Sequence, residues 1–129
     1  MRSDLAPVFV QSMPTNLEEG KLYISVEFCT ALHLCCCGCG NKVVTPLSPH
    51  RWQMTFDGET VSLHPSIGNW SYPCQSHYWI ERSQVVPARK WSQREIAKGR
   101  LRDGLARRAY YQVEQNQPVD AQGVVTMLW

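Results

Sequence analysis

Cysteine and histidine side chains with the spacing of metal ligands are the most distinctive chemical feature of this sequence. Two segments carry them, HLCCCGCGN (33–41) and PCQSHYWI (73–80). Zinc in proteins takes about four sulfur or nitrogen ligands in a tetrahedral arrangement. The candidate ligands are Cys35, Cys37, Cys39, Cys74 and His77. Five candidates for about four places predict a zinc (Zn2+) site and leave open which of them bind the ion.

The first cysteine segment can present its ligands in two ways. If it is extended, Cys35, Cys37 and Cys39 project to one side and Cys36 to the other. Alternatively, Cys36 pairs with Cys39 as a C-x-x-C-G knuckle. Four cysteines within five residues are too close to bridge one another as disulfides, which favours a metal. A closed cysteine site of this kind is structural by default, whereas a catalytic zinc keeps an open position.

The elements around these ligands are predicted to be mainly short strands. Residues 21–28 alternate apolar and polar side chains, which predicts a half-buried strand with Glu27 on its polar face. Further strands are predicted at 43–47 as an edge, at 52–63 as a hairpin turning at Asp57-Gly58, and at 77–81 and 84–86. Residues 65–74, with two prolines and a Gly-Asn pair, are predicted to be a loop. The fold class is therefore mainly β (α+β): a small antiparallel domain stapled by zinc.

A basic helix is predicted to follow this β domain. Ser92 and Glu95 have the spacing of a capping box, and a thin apolar stripe continues from them over a helix at 93–111. The stripe consists of Ile96, Leu101, Leu105 and Ala109. Residues 112–122 are predicted to be a polar linker, and the terminal VVTMLW is apolar enough to dock. We expect a single zinc-binding β-rich domain at 1–88, followed by a basic helical tail with an apolar C-terminus at 89–129.

Charge and hydropathy narrow the class of protein. The net charge is +2, but residues 89–108 hold eight basic and two acidic side chains, a local +6 that leaves −4 elsewhere. No segment approaches the run of about 20 apolar residues that a membrane span needs. The N-terminal MRSDLAPVFVQSMP lacks the apolar core of a signal peptide. We therefore expect a cytoplasmic protein that does not enter a membrane.

Several long motifs in residues 19–80 resemble one family. They are T-P-L-S-P, F-D-G-E-T-V-S-L, P-S-I-G-N-W and C-x-S-H-Y-W-I, together with H-x-C-x-C-G-C-G around the cysteines. The segment is similar to a family of small, cysteine-rich bacterial proteins of unassigned function. In that pattern Cys35, Cys37, Cys39, Cys74 and His77 match, and Cys36 occupies a variable position. The resemblance thus favours the alternating set over the knuckle.

The resemblance also implies a pathway. Such proteins are similar to ones encoded beside genes for a ubiquitin-like modifier, an activating enzyme and a conjugating enzyme. The resemblance therefore implies these three proteins as partners. Pathways of this type usually include a protease that processes the modifier or removes it from targets. The resemblance therefore implies, by association, a zinc-containing accessory acting as that protease.

Protease chemistry needs a nucleophile, a base and donors for the oxyanion. In the first arrangement Ser66 is the nucleophile, His77 the base and Glu27 its orienting group, with amides near Gly68 as oxyanion donors. It works best if the four cysteines hold the metal and leave His77 free. The bland interpretation is a Ser66 hydroxyl that caps its own turn and a solvated Glu27.

Two further arrangements remain open from the sequence. Zinc with three protein ligands would activate water, with Glu27 or Glu59 as base. Alternatively, Cys29 would act as nucleophile with His33, although Cys29 is equally a small core residue. Neither H-E-x-x-H nor G-x-S-x-G occurs. The residues lean towards a serine-type rather than a metallo-type peptidase without establishing catalysis.

A function of another class rests on the basic tail. Basic side chains around a helix, with Trp91 and Tyr110 for stacking, would grip phosphates or an acidic partner surface. The alternative function is therefore a non-catalytic zinc module that binds partner proteins or, less favoured, nucleic acid through this tail.

Overall fold

The computed structural model describes residues 1–115, apart from the side chains at 107 and 110–115. Within this range the chain forms eight strands and one helix. The strands are β1 (Ala6–Phe9), β2 (Lys21–Ser25), β3 (Thr30–Leu34), β4 (Lys42–Pro46), β5 (Gln53–Phe56), β6 (Val61–Gly68), β7 (His77–Glu81) and β8 (Gln84–Pro87), followed by the helix α1 (Gln93–Gln115). The predicted fold class, mainly β with a basic C-terminal helix, is confirmed.

The strands form two sheets of four, in the orders β1-β2-β3-β4 and β5-β6-β7-β8. All neighbours are antiparallel except β1, which pairs parallel to β2. The sequence did not predict β1. It lies at the edge of its sheet, the position that tolerates Pro7, which has no N–H for a ladder hydrogen bond.

β2 ends earlier than its alternating pattern predicts. Residues Leu22 to Ser25 are all buried, so both faces of this strand are covered. The chain then turns at 26–29, where Cys29 has φ 49° and its amide donates to the Val26 carbonyl. Glu27 therefore lies in an exposed turn rather than on the polar face of a strand.

β6 is longer than predicted. The hairpin of β5 and β6 is confirmed, with Asp57-Gly58 in its turn. However, β6 continues to Gly68, so Ser66 lies on a strand and not in the predicted loop at 65–74. The register against β7 shifts between Leu63 and Ile67, and this irregularity lets the strand pass Pro65 and pair again.

One hydrophobic core is shared by the two sheets. Its members are buried apolar side chains from both: Leu22, Ile24, Ala31 and Val43 from the first, and Val61, Leu63, Ile67, Tyr78, Ile80 and Val85 from the second. Cys35 and Cys36 belong to the same cluster, so the cysteine segment begins at the edge of the core.

The helix begins as the capping box predicts. The Glu95 amide donates to Ser92 Oγ at 3.1 Å, and the Ser92 amide donates to Glu95 Oε1 at 3.0 Å. Of the predicted apolar stripe, Ile96 is buried, whereas Leu101 and Leu105 are 65% and 53% exposed. The helix extends to Gln115, past the predicted end at 111; the remainder of the predicted linker and the terminal VVTMLW lie outside the described residues.

The chain divides into two compact units, Met1–Lys90 and a second that begins at Trp91. The division into a zinc-binding domain at 1–88 and a tail at 89–129 stays a prediction. Across residues 1–115, no helix combines the length and apolar character needed to cross a membrane.

Candidate active site and metal centre

Four cysteines converge at one end of the core. Cys35, Cys37 and Cys39 lie in and after the turn that follows β3, and Cys74 lies in the loop between β6 and β7. Their sulfur atoms all lie within 4.8 Å of one another. The Sγ–Sγ distances are 3.4 Å for Cys35–Cys37, 3.8 Å for Cys35–Cys74 and 3.9 Å for Cys39–Cys74.

These spacings fit a tetrahedral metal site. A zinc–sulfur bond of about 2.3 Å places neighbouring sulfurs about 3.8 Å apart at the corners of a tetrahedron. Four thiolates complete such a shell, and in the described residues His77 is not part of the cluster. The cluster is therefore compatible with a metal ion held by sulfur alone.

A turn, rather than an extended strand, brings the first three sulfurs together. The Gly38 amide donates to the Cys35 carbonyl at 3.1 Å, and Gly38 and Gly40 have φ of 90° and 82°. Both values lie in the left-handed region that glycine adopts without steric cost. The prediction that this segment is extended is therefore wrong. The three cysteines predicted to share one side, Cys35, Cys37 and Cys39, are nevertheless the ones that meet.

Polar groups surround the sulfurs. Ser76 Oγ lies 3.0 Å from Cys35 Sγ, and Asn41 Nδ2 donates to Cys39 Sγ at 3.3 Å. The backbone amide of Asn41 also donates to Cys39, which lowers the pKa of that thiol to about 7. Burial instead raises the pKa of Cys37 to about 12. Hydrogen bonds of this kind orient thiolate ligands and favour their charged form.

Cys36 and Cys29 lie outside the cluster. Cys36 is buried in the core, and burial raises the pKa of its thiol to about 11, as for an inert core cysteine. Cys29 Sγ lies 3.5 Å from the Val26 carbonyl in the β2–β3 turn. His33, its proposed partner, is fully buried with Nε2 at 2.7 Å from the Tyr78 hydroxyl, and burial lowers its pKa to about 4. The knuckle and the Cys29–His33 pair therefore gain no support.

Ser66 and His77 form a second constellation, on neighbouring strands. Ser66 Oγ lies 2.8 Å from His77 Nε2, and His77 is the first residue of β7, opposite Gly68 on β6. The other ring nitrogen, Nδ1, lies 2.5 Å from the backbone carbonyl of Arg89. A serine and the base expected to activate it are thus within hydrogen-bond reach.

The Arg89 carbonyl decides which ring nitrogen carries the proton. A carbonyl oxygen only accepts, so Nδ1 donates and must be protonated. In the neutral ring, Nε2 then holds a lone pair directed at Ser66 Oγ, and the serine hydroxyl donates to it. This is the tautomer that a general base needs to accept a serine proton.

The dyad is held in a partly enclosed place. His77 is 8% exposed, and the Trp70 ring packs edge-on against it with centroids 5.0 Å apart. Ser66 is half-buried and therefore open on one side. Of the amides near Gly68 that were expected to face an oxyanion, that of Asn69 donates to the Ser76 carbonyl within the loop.

The carboxylates proposed from the sequence lie in exposed turns. Glu27 is in the β2–β3 turn, and Glu59 is in the β5–β6 hairpin turn, where its amide donates to Asp57. At His77 Nδ1 the structure places the Arg89 carbonyl, which sequence reasoning missed. No side-chain signal could have found it, because every residue carries a backbone carbonyl.

A family model for the bacterial ubiquitination-like system serine protease BubE matches residues 9–88, more than half of the chain. This chain belongs to the BubE family. The match confirms the resemblance drawn from the motifs and links the chain to a bacterial ubiquitination-like system. No curated protein and no solved structure matches it. The region shared with the BubE family contains the four clustered cysteines, Ser66 and His77, and ends one residue before Arg89.

Proposed function

We propose that this chain is the serine protease of its ubiquitination-like system, and that it processes the ubiquitin-like modifier or removes it from targets. Ser66 is the nucleophile and His77 the general base. The observation that carries the proposal is the 2.8 Å contact from Ser66 Oγ to His77 Nε2, with the opposite nitrogen directed at a carbonyl. The membership of the chain in a serine protease family supports the same assignment.

The chemistry follows from this hydrogen-bond order. Ser66 Oγ attacks the carbonyl carbon of the scissile bond while its proton moves to His77 Nε2. The imidazolium then gives that proton to the leaving amine, the C–N bond breaks, and an acyl ester remains on Ser66. Water, deprotonated by the same nitrogen, attacks the ester; the C–O bond to Ser66 breaks, the imidazolium returns the proton to Ser66 Oγ, and the modifier leaves with a free carboxylate. Throughout, the hydrogen bond from Nδ1 to the Arg89 carbonyl holds the ring in place.

We propose zinc as the ion for the cysteine cluster, with a structural role. Cys35, Cys37, Cys39 and Cys74 would hold it, and when bound it would supply a cross-link between the β3–β4 turn and the β6–β7 loop. Four sulfurs fill a tetrahedral shell, which disfavours the metallo-type arrangement with Glu27 or Glu59 as base. This set leaves His77 for Ser66.

The proposed substrate, partners and cellular location of the protein follow from the proposed activity and from its cysteines. We propose the modifier as substrate and its activating and conjugating enzymes as partners; the place of the family in a bacterial ubiquitination-like system supports this. The free cysteines of the cluster suit a reducing compartment, and so the proposed location is the cytoplasm.

A modifier fusion tests the catalytic proposal. The metal-loaded protein is incubated with the modifier of its system fused to a reporter, and release is followed on gels. Ser66→Ala and His77→Gln are expected to lower the rate by at least about a thousandfold, because each removes a member of the dyad. Metal content, measured by elemental analysis, stays unchanged in both.

Ser48→Ala is the matched control. Ser48 Oγ also lies beside a histidine, 3.4 Å from His50 Nδ1, and its loss should leave cleavage intact. Cleavage that survives Ser66→Ala, or cleavage that Ser48→Ala abolishes equally, contradicts the assignment of Ser66 as nucleophile.

The basic helix supports a second candidate function, the binding of an acidic partner or of nucleic acid. Its side chains at Arg94, Lys98, Arg102 and Arg108 are exposed. Binding to RNA or DNA that weakens steeply with salt and needs these side chains would support the nucleic-acid version.

A further inference from the structure

An open groove lies on the outer face of the second sheet. It is lined by His64 of β6, Trp79 and Glu81 of β7, Arg82 of the β7–β8 turn and Val86 of β8, and its volume is about 560 Å³. The volume falls within the range of about 300–1,000 Å³ that ligand sites occupy.

The groove shares its face with the catalytic pair. Successive side chains of a strand point to opposite faces, so Trp79, two residues after His77, projects on the same side as His77 and Ser66. The His64 ring lies against the Trp79 ring, with centroids 5.7 Å apart. Trp79 thus lies two residues, or about 7 Å of extended strand, from His77 on the same face.

The neighbouring sheet edge is closed to a peptide. The Val85 amide of β8 already donates to the Ser3 carbonyl at 2.9 Å, and Asp4 bridges to Gln84. Pro87, at the end of the strand, has no N–H to offer. A substrate therefore cannot add a strand at this edge, whereas the face of the sheet that carries Trp79 is accessible to it.

We propose that this groove binds the extended segment of the substrate next to the scissile bond and selects a large apolar side chain there. The inference rests on the proposed function of Ser66 and His77. The occupant is the tail of the modifier, because that is the chain that must enter the site when its terminal bond is cut. Trp79 and Val86 form the apolar contact surface.

The charges at the groove support an apolar occupant. Glu81 and Arg82 are both exposed, and their opposite charges leave the rim without a net sign. Val86 is 42% exposed and Trp79 is half-buried, so apolar surface is available for contact. Selection by such a surface comes from desolvating a side chain and not from an ion pair.

A panel of modifier fusions tests the inference with the full-length, metal-loaded protein. In each fusion, one of the four residues before the cleaved bond is replaced by glycine, leucine or aspartate. The wild type should prefer leucine at one position. Trp79→Ala should lower kcat/KM for that fusion by at least about tenfold and for its glycine counterpart much less, which flattens the preference.

A pair of tryptophan substitutions separates filling of the groove from a general effect. Val86→Trp fills the groove and should lower kcat/KM for every fusion. Val26→Trp places the same side chain in the exposed β2–β3 turn and should change nothing. Labelling of Ser66 by a small fluorophosphonate should proceed equally in wild type, Trp79→Ala and Val86→Trp, which shows that the dyad is intact.

The outcomes distinguish the two proposals. An unchanged preference in Trp79→Ala, or equal cleavage by Val86→Trp and Val26→Trp, contradicts substrate binding in the groove. The assignment of Ser66 and His77 as the dyad is unaffected by either result. A wild type that is neither labelled nor able to cleave any fusion overturns the proposed function, and the groove falls with it.

Discussion

Gly68 sets the distance between the β6 backbone and the indole ring of Trp70. A Cβ built at this position would lie 2.5 Å from the ring atoms of Trp70, far inside contact distance. The same indole packs against the imidazole of His77. The absence of a side chain at residue 68 thus lets Trp70 cover the base of the dyad.

Gly68→Ala should therefore impair catalysis more than stability. The added methyl group must displace Trp70, and a shift of about 1 Å near the base lowers kcat by about ten- to a hundredfold. The measurement is the rate of fusion cleavage together with the melting temperature. Gly104→Ala is the matched control, because nothing lies within 4 Å of its added Cβ; it should stabilise the helix by about 1 kcal/mol and leave cleavage unchanged. Equal rates for the two variants would contradict the role of Trp70.

Individual site residues were predictable to different degrees. The sequence singled out Cys74, His77 and the Ser66 of PSIGN. Cys74 lies in the cysteine cluster, and Ser66 contacts His77. Glu27 was misplaced, because the alternating pattern continues past Ser25 where the chain already turns. The carbonyl at Arg89 was unpredictable, since backbone groups leave no trace in residue type.

The turn of the β5–β6 hairpin is held by one carboxylate. Asp57 Oδ1 accepts hydrogen bonds from the amides of Glu59 and Thr60 at 2.9 and 2.6 Å, and Oδ2 accepts one from the Thr60 hydroxyl at 2.6 Å. The bond from this hydroxyl is the largest cause that lowers the pKa of Asp57 to about 2. β6 carries Ser66, so this turn sets the start of a strand that the site needs.

The hairpin should lose stability in acid. A carboxyl with a depressed folded pKa contributes stability above its unfolded value, near 3.8, and loses it as the pH falls through about 2. Asp57→Asn should therefore lower the melting temperature at pH 7, and the difference from wild type should shrink towards pH 2. Thr60→Val, which removes one donor, should move this transition to higher pH. A difference that is constant between pH 7 and pH 2 would contradict the account.

Strands were predictable where local pattern and turn chemistry agreed. The Asp57-Gly58 turn and the pairing of β7 with β8 are examples. β1 was missed because its pairing is parallel and non-local, which no short pattern records. The end of β6 was missed because Pro65 and the Gly-Asn pair signal a loop, whereas the register shift absorbs the proline.

The cysteine cluster brings together segments that adjoin the two sheets of the β unit. Three of the clustered cysteines follow β3 of the first sheet, and Cys74 precedes β7 of the second. An ion at this cluster would join segments 35 or more residues apart in sequence. It would also anchor the loop that runs from Gly68 to His77 and carries Trp70.

Removing the metal should therefore unfold the unit and abolish cleavage together. Cys74→Ser, or a strong chelator, should lower the melting temperature by at least about 15 °C, because each kcal/mol corresponds to about 4–8 °C in a domain of this size. Elemental analysis should find one zinc per chain in the wild type and none in the variant. Cys29→Ser, outside the cluster, should keep both metal and stability. A metal-free wild type that melts as cooperatively would contradict the structural role.

The partner of His77 Nδ1 has a practical consequence for how this active site is mapped. Because the acceptor at residue 89 is a main-chain oxygen, replacing the arginine side chain leaves it in place. An alanine scan of the proposed site would therefore detect only Ser66 and His77. A fragment cut at residue 88, where the family match stops, would keep Ser66 and His77 yet lose the carbonyl that selects the imidazole tautomer. Under the proposed mechanism, a working fragment must therefore extend past residue 88, to a backbone group that no side-chain motif marks.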